Sequence, residues 1–444
     1  MQGLMLLFLT VVMSVPYLAG RFKVLPPIFG YLPELLAALV LAYIIFAGTK
    51  SRFRYVRAEY WLAFGTIAAV MVCGIFANSV APGPVFAGIR NYLRAIPLFF
   101  LPAVFLFSEK QMGRQLRWLG ILCLLQLPAA VYERLHVINS GRTSGDSVVG
   151  TVEDSSCLSI ILIAATCVLT ALAVRGFVPR KRFVVLFLLL LLPTTINETK
   201  ATLILLPIGL LITVLVASQP QRRLQVGAMA MIMLVTFFSI FIPIYEYLQR
   251  NTPYHVPITT FFTDPDAFMR YVGGHAQTTG SVHVGRLDGI RIPLRYMSND
   301  PSLLAFGVGL GNASHSNMGE QFTGRYYLMF EKFELSCITM FLLELGLLGT
   351  GMVFLLYWLI FRDSLIVARI DPGPGGALAA AWAGIVAMTV VSMPYKEIYV
   401  FPSLSFLFWY LAGYVAARRM ILTRGPEYDP VTTELPASQH AAAR

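Results

Sequence analysis

The 444-residue chain is 57% hydrophobic and 13% charged, with a mean hydropathy of +0.69. Soluble domains carry roughly a quarter charged residues, so this composition excludes a soluble globular protein and predicts an all-α, polytopic membrane protein. A formal charge of +11 raises the question of nucleic acid, and the position of the charges answers it.

At roughly 20 apolar residues per crossing, the sequence predicts about twelve transmembrane helices. They fall near 3–20, 31–48, 60–80, 92–108, 118–135, 157–174, 183–196, 201–217, 224–244, 334–360, 376–392 and 401–417. The first has no Lys or Arg ahead of its apolar run, unlike a cleaved signal, and is read as a retained helix. With both termini cytoplasmic, six short inner connections of 52 positions in total hold 18 of the 34 Lys and Arg residues. That asymmetry orients a chain in a membrane, so the basic charge implies no nucleic-acid partner. The five cysteines show no metal-ligand spacing and read as small hydrophobes, with a Cys157–Cys337 bridge the one pairing left open.

The predicted organisation is helices over 1–244, a large external loop domain over 245–333, helices over 334–424 and a disordered cytoplasmic tail over 425–444. The loop domain holds four of the six histidines, His255, His275, His283 and His315, and balances seven basic against seven acidic residues. Histidine is the side chain suited to proton transfer near neutral pH, which makes this insert the first place to look for chemistry.

Three further outer segments carry candidates. Residues 81–94 bring Arg90 and Arg94 to a helix entrance. The Gly-, Ser- and Thr-rich connection 134–156 reads as an exposed loop and contains Arg142. The tight hairpin at 197–200 places Asn197, Glu198, Thr199 and Lys200 at or below the membrane surface, where charged groups need partners or a polar ligand. A Glu198–Lys200 pair with Lys200 reaching for the interface is the plain alternative. Within the insert, Arg291 and Arg295 share a helix face if Pro293 permits a helix, and a solvated face is the simplest account of them. The run Phe306–Asn312 has three glycines, which allow backbone amides to approach an anion closely; it reads best as a positioning loop for His315. Glu344, alone in an apolar helix, calls for either a structural or a functional partner.

These stretches together, GTVEDSSCLS, NETKATLILLP, Gly285-Arg286, FGVGLGNASHSN and LLELGLLG, resemble the bacterial O-antigen polymerase and O-antigen ligase superfamily of lipid-linked glycan enzymes. The resemblance is best over residues 130–360. It implies a glycosyltransferase with an undecaprenyl-diphosphate-linked oligosaccharide as donor, in the lipid bilayer of the bacterial inner membrane and active at its periplasmic face. By the same resemblance, Arg286 and Lys200 would hold the pyrophosphate and His315 would activate the acceptor hydroxyl. Asn197, Glu198, Arg291, Arg295, Arg142, Arg90 and Asn317 would line the substrate. Lys200 stands where an arginine is commonest, keeping the charge without the bidentate fork, and Ser316 separates His315 from Asn317. A flippase and a chain-length regulator would be partners, with no cofactor and no metal. Polymerase and ligase share this reaction type. A lipid-linked glycan flippase or transporter is the alternative from another class, for which two similar halves would be expected and are not seen.

Overall fold

The computed structural model describes residues 1–21, 23–48, 52–138, 148–197, 199–249, 257–266, 276–278, 281–283, 286–316, 318–330 and 335–424. Among the described residues the chain is helical nearly throughout. Its helices are α1 Gln2–Pro16, α2 Leu32–Gly48, α3 Ala58–Ala77, α4 Pro82–Leu93, α5 Ile96–Val104, α6 Glu109–Leu124, α7 Gln126–Glu133, α8 Ser155–Val174 and α9 Arg180–Ile196. They continue as α10 Thr202–Ala217, α11 Arg223–Gln249, α12 Ile258–Thr263, α13 Arg286–Met297, α14 Pro301–Phe306, α15 Tyr327–Phe330, α16 Cys337–Ile370, α17 Pro374–Ser392 and α18 Pro402–Arg424. Among the described residues one two-stranded antiparallel pairing, Ala276–Thr278 with Ser281–His283, interrupts them.

Among the described residues, eight helical segments are long and apolar enough to cross a membrane. The protein is a membrane protein on that ground, since a helix satisfies its backbone polar groups internally except at its ends and breaks. Four further expected spans are shorter or more charged pieces. The predicted span 92–108 is instead split between α4 and α5. Ala95 caps the second helix and Pro97 occupies its first turn, where a proline's missing N–H costs nothing.

The long helix α16 is central, packed against α3, α17 and α18, while α10 and α8 close around α17. α17, PGGALAAAWAGIVAMTVVS, is the most deeply buried, because small side chains let helices approach within a membrane. The five cysteines are free, and Cys157 and Cys337 are each wholly buried in this packing.

α16 runs on to Ile370, so residues 361–370, expected as an inner loop, are helical. That extension carries Asp363 into the bundle, where it is fully buried. Arg57 Nη1 reaches its carboxylate at 2.7 Å, the Tyr60 hydroxyl donates at 3.0 Å, and Arg419 makes a third contact. Nearby, Arg418 bridges Asp371 at 3.0 Å and Glu109 at 2.5 Å, and Arg175 donates to the Asp371 carbonyl at 2.7 Å. Arg57, Arg175, Arg418 and Arg419, which the sequence assigns to one membrane face, are therefore gathered at one end of the bundle. Glu344, the His315 loop and Asn197 lie at the other.

The segment 148–154, expected to be an exposed loop, is packed inside. Glu133 Oε2 accepts from the amides of Val149 and Gly150 at 2.8 Å each, and Gln126 exchanges two hydrogen bonds with Thr151. Val148 and Val152 are buried, so the apolar residues within this Gly/Ser/Thr-rich stretch decided its placement. Residues 139–147, with Arg142, and the tail 425–444 lie outside the described residues.

Candidate functional site

The site is built on a break in α16. Gly346 has φ 63° and ψ −167°, outside the helical region, in the middle of LLELGLLG. Only glycine takes that conformation without strain, and a Cβ there would overlap the Ala305 carbonyl. The break frees the carbonyl of Leu343, which accepts from the amide of Val308 at 2.6 Å. One residue on, the wholly buried Glu344 turns its Oε1 to the amide of Ala313 at 3.0 Å and the hydroxyl of Ser314 at 2.7 Å. Glu344 is thus not isolated: it anchors the stretch that leads to His315.

The opposite side of the glycine run is held by α3 and α4. The Asn78 amide donates to the carbonyl of Gly307 at 3.0 Å and to that of Gly74 at 2.9 Å. Gly311, with φ 78°, lies against the carbonyl of Pro84 so closely that no side chain fits. Inside the loop, Asn312 donates to the Val308 carbonyl at 2.8 Å, and the amides of Tyr326 and Gly324 bond the carbonyls of Asn312 and Ser314. The Ala313 amide, just after the glycine run, meets a carboxylate of the chain itself, that of Glu344. The amide of Val308 within the glycine run is likewise committed, to the Leu343 carbonyl.

Its product is one exposed side chain. From Gly307 to Ser316 every residue is buried except His315. Its ring centroid lies 5.1 Å from that of Tyr327 at an angle of 44°, and the amide of the following Ser316 donates to Thr323 Oγ1 at 3.3 Å. A histidine on a rigid, buried support keeps its ring where a substrate can meet it, which is what a general base requires.

Arg286 is the first residue of α13. This helix places Ile290, Leu294 and Met297 on a small core with Val308, Ala313, Phe330, Met340, Leu342 and Leu343. Three- and four-residue spacing sends Arg291 and Arg295 to the other face, where both are exposed. Arg291 lies 3.8 Å from Asp288. Pro293 is accommodated within the helix and buried.

The hairpin at 197–200 is tied to a different neighbour. Asn197 is fully buried, donating to the Ser155 carbonyl at 3.1 Å and to Ser159 Oγ at 2.8 Å, and so braces the start of α8. Lys200 is half-buried in the turn before α10. Glu198 and Asn317 lie outside the described residues. Arg90 forms a bidentate pair with Glu34 at 2.8 and 2.7 Å, and Arg94 joins the same carboxylate at 2.7 Å. These arginines join α4 to α2. The fork geometry suits that role.

Sequence reasoning passed over the connection between α17 and α18, residues 393–401. Lys396 Nζ lies 3.4 Å from Asp154, whose other oxygen caps α8 through the amide of Ser156 at 2.8 Å. Glu153 receives the amide of Ser403 at 3.0 Å and its hydroxyl. Burial pushes the Glu153 carboxyl up against these bonds. The Glu397 carboxyl is pushed up to about 7 by burial, with Lys396 opposing and Glu344 reinforcing the rise. Tyr399 packs its ring 4.8 Å from Tyr92 and 5.1 Å from Phe341, above the core that supports the His315 loop. The signal was the polar and aromatic make-up of SMPYKEIYVFPS between two apolar helices.

Set against known proteins, the chain matches no protein-family model and no curated protein.

Proposed function

We propose that the protein is a membrane glycosyltransferase that joins undecaprenyl-diphosphate-linked glycan units on the periplasmic face of a bacterial inner membrane, as an O-antigen or exopolysaccharide polymerase. The twelve-crossing topology, cytoplasmic termini and external placement of 245–333 belong to this proposal. The observation that carries it is His315, the one exposed residue on a loop whose every neighbour from Gly307 to Ser316 is buried, at the bundle end opposite the basic cluster.

In the proposed reaction an acceptor hydroxyl oxygen attacks the anomeric carbon of the donor. The bond from that carbon to the diphosphate oxygen breaks, and undecaprenyl diphosphate leaves. The hydroxyl proton passes to the imidazole of His315, and Arg286 and Lys200 balance the charge developing on the departing diphosphate. A base near neutral pKa and facing cations are what this displacement needs.

The test is in vitro polymerisation of a lipid-linked repeat by the purified chain in vesicles. Wild type is expected to give a ladder of products and His315→Ala none at equal protein level; a normal ladder from the variant overturns the base assignment. Transfer of the glycan to lipid A-core, without a ladder, would identify a ligase instead. Movement of intact lipid-linked repeat across the bilayer, without a new glycosidic bond, would identify a transporter.

A further inference from the structure

The stretch that carries His315 is paired with a second segment. The amides of Gly324 and Tyr326 donate to the carbonyls of Ser314 and Asn312 at 3.0 and 2.9 Å, in an antiparallel sense. Extended segments paired in this way send alternate side chains to opposite sides. Thr323 Oγ1 accepts from the amide of Ser316 at 3.3 Å, and the Tyr327 ring lies 5.1 Å from that of His315. Both contacts come from odd-numbered residues of the second segment, so Arg325, midway between Thr323 and Tyr327, shares the His315 face. The Cα atoms of Arg325 and Tyr327 stand no more than about 7.6 Å apart, the scale of one sugar ring with its substituents.

Arg325 is exposed, and among the described residues no carboxylate pairs with it. Its guanidinium is nonetheless held in place. It lies 4.9 Å from the centre of the Tyr326 ring, and Nη2 donates to the Tyr326 hydroxyl at 3.3 Å. Tyr326 in turn packs edge-on to Tyr296 with 6.1 Å between ring centres, and a hydrogen bond between their hydroxyls pushes the Tyr296 hydroxyl up. Tyr296 rests on Phe330 of the buried core beneath. Most of the N–H donors of Arg325 remain unspent, in the planar fork that matches a carboxylate. Arg90 and Arg94, by contrast, find their carboxylate within the chain, in Glu34.

We propose that Arg325 sets acceptor specificity: the face it shares with His315 and Tyr327 takes a glycan ending in an acidic sugar, a uronate, whose carboxylate meets the Arg325 fork. The inference rests on the glycosyltransferase reading. The sugar ring lies against Tyr327, and its attacking hydroxyl faces His315. In a direct displacement the attacking oxygen and the departing diphosphate lie on opposite sides of the anomeric carbon. The face that carries the base therefore meets the acceptor and not the phosphates of the donor. An aromatic ring beside the cation also offers an apolar surface to a pyranose, which a bare phosphate does not use. Arg325 touches no reacting atom; it chooses and orients the acceptor.

The experiment measures binding of soluble glycans to the full chain in nanodiscs. A disaccharide ending in glucuronic acid should bind about tenfold more tightly than the same disaccharide ending in glucose, the worth of one charge-assisted pair. Arg325→Gln should weaken the acidic probe about tenfold and the neutral one less than about twofold, while Arg325→Lys, which keeps the charge without the fork, should restore part of the preference. Equal binding of the two sugars by wild type, or equal losses for both in Arg325→Gln, overturns the proposal. Displacement of the acidic probe by inorganic pyrophosphate as effectively as by free glucuronate overturns it too, because it would put Arg325 on the donor side. The wild-type comparison decides the matter if the variants do not fold. An acidic preference with no transfer to any acceptor would leave this assignment standing and sink the enzymatic reading. Transfer that needs His315 but does not distinguish acidic from neutral acceptors would do the reverse.

Discussion

The two ends of the bundle both concentrate polar side chains, yet they use them oppositely. At the basic end Asp363 is wholly buried and met by Arg57, Arg419 and Tyr60, while Arg418 and Arg175 close on Asp371, so the charged groups face one another. At the other end Glu344 is equally buried but is spent on a backbone amide and a serine hydroxyl, and the loop it anchors exposes His315. At one end the polar groups pair with one another; at the other they frame one exposed, titratable side chain.

Two substitutions test that contrast most severely. His315→Ala should lower glycan transfer by about 10²–10⁴-fold, the range for a general base, and leave thermal unfolding unchanged. Asp363→Ala should do the reverse, costing about 3–5 kcal/mol of stability by leaving arginines unpaired, with residual folded protein still active. Chemical denaturation in detergent beside an activity assay separates the two, and a stability loss in His315→Ala would erase the distinction.

A smaller effect is expected at the hinge of the frame. Gly346→Ala places a side chain at positive φ and should cost about 1–3 kcal/mol. Because the same break docks Val308 and Ala313, activity should fall further than stability alone accounts for. Equal activity per folded molecule would show that the break does not position His315.

The pH dependence sharpens the same end of the molecule. Glu397, pushed up to about 7, holds a proton in the folded chain that an unfolded glutamate releases near about 4.3. Its contribution to stability is fully present below that lower value and is lost as pH rises through about 7. Glu397→Gln should remove this part of the slope in thermal-unfolding scans; a slope identical to wild type would place the titration elsewhere. The smallest effect is expected for Arg291→Ala, within about 0.5 kcal/mol, because Arg291 is exposed and stands 3.8 Å from its partner Asp288. A large loss of transfer in that variant would move Arg291 from a solvated face into the substrate path.

Composition and hydropathy determined the membrane class, the helical fold and the separation of charge between two ends, because burial in lipid leaves a chain few options. The pattern FGVGLGNASHSN also determined that a glycine loop leads to His315. Spacing along the chain could not reveal that Glu344, thirty residues further on, supplies the acceptor for that loop, nor that residues 361–370 continue a helix. The connection 148–154 shows the same limit: its composition reads as a surface loop, but Glu133 and Gln126 satisfy its amides and allow it to be buried. Only tertiary structure decided these, since a buried polar group is defined by the partner that satisfies it, and that partner comes from elsewhere in the chain.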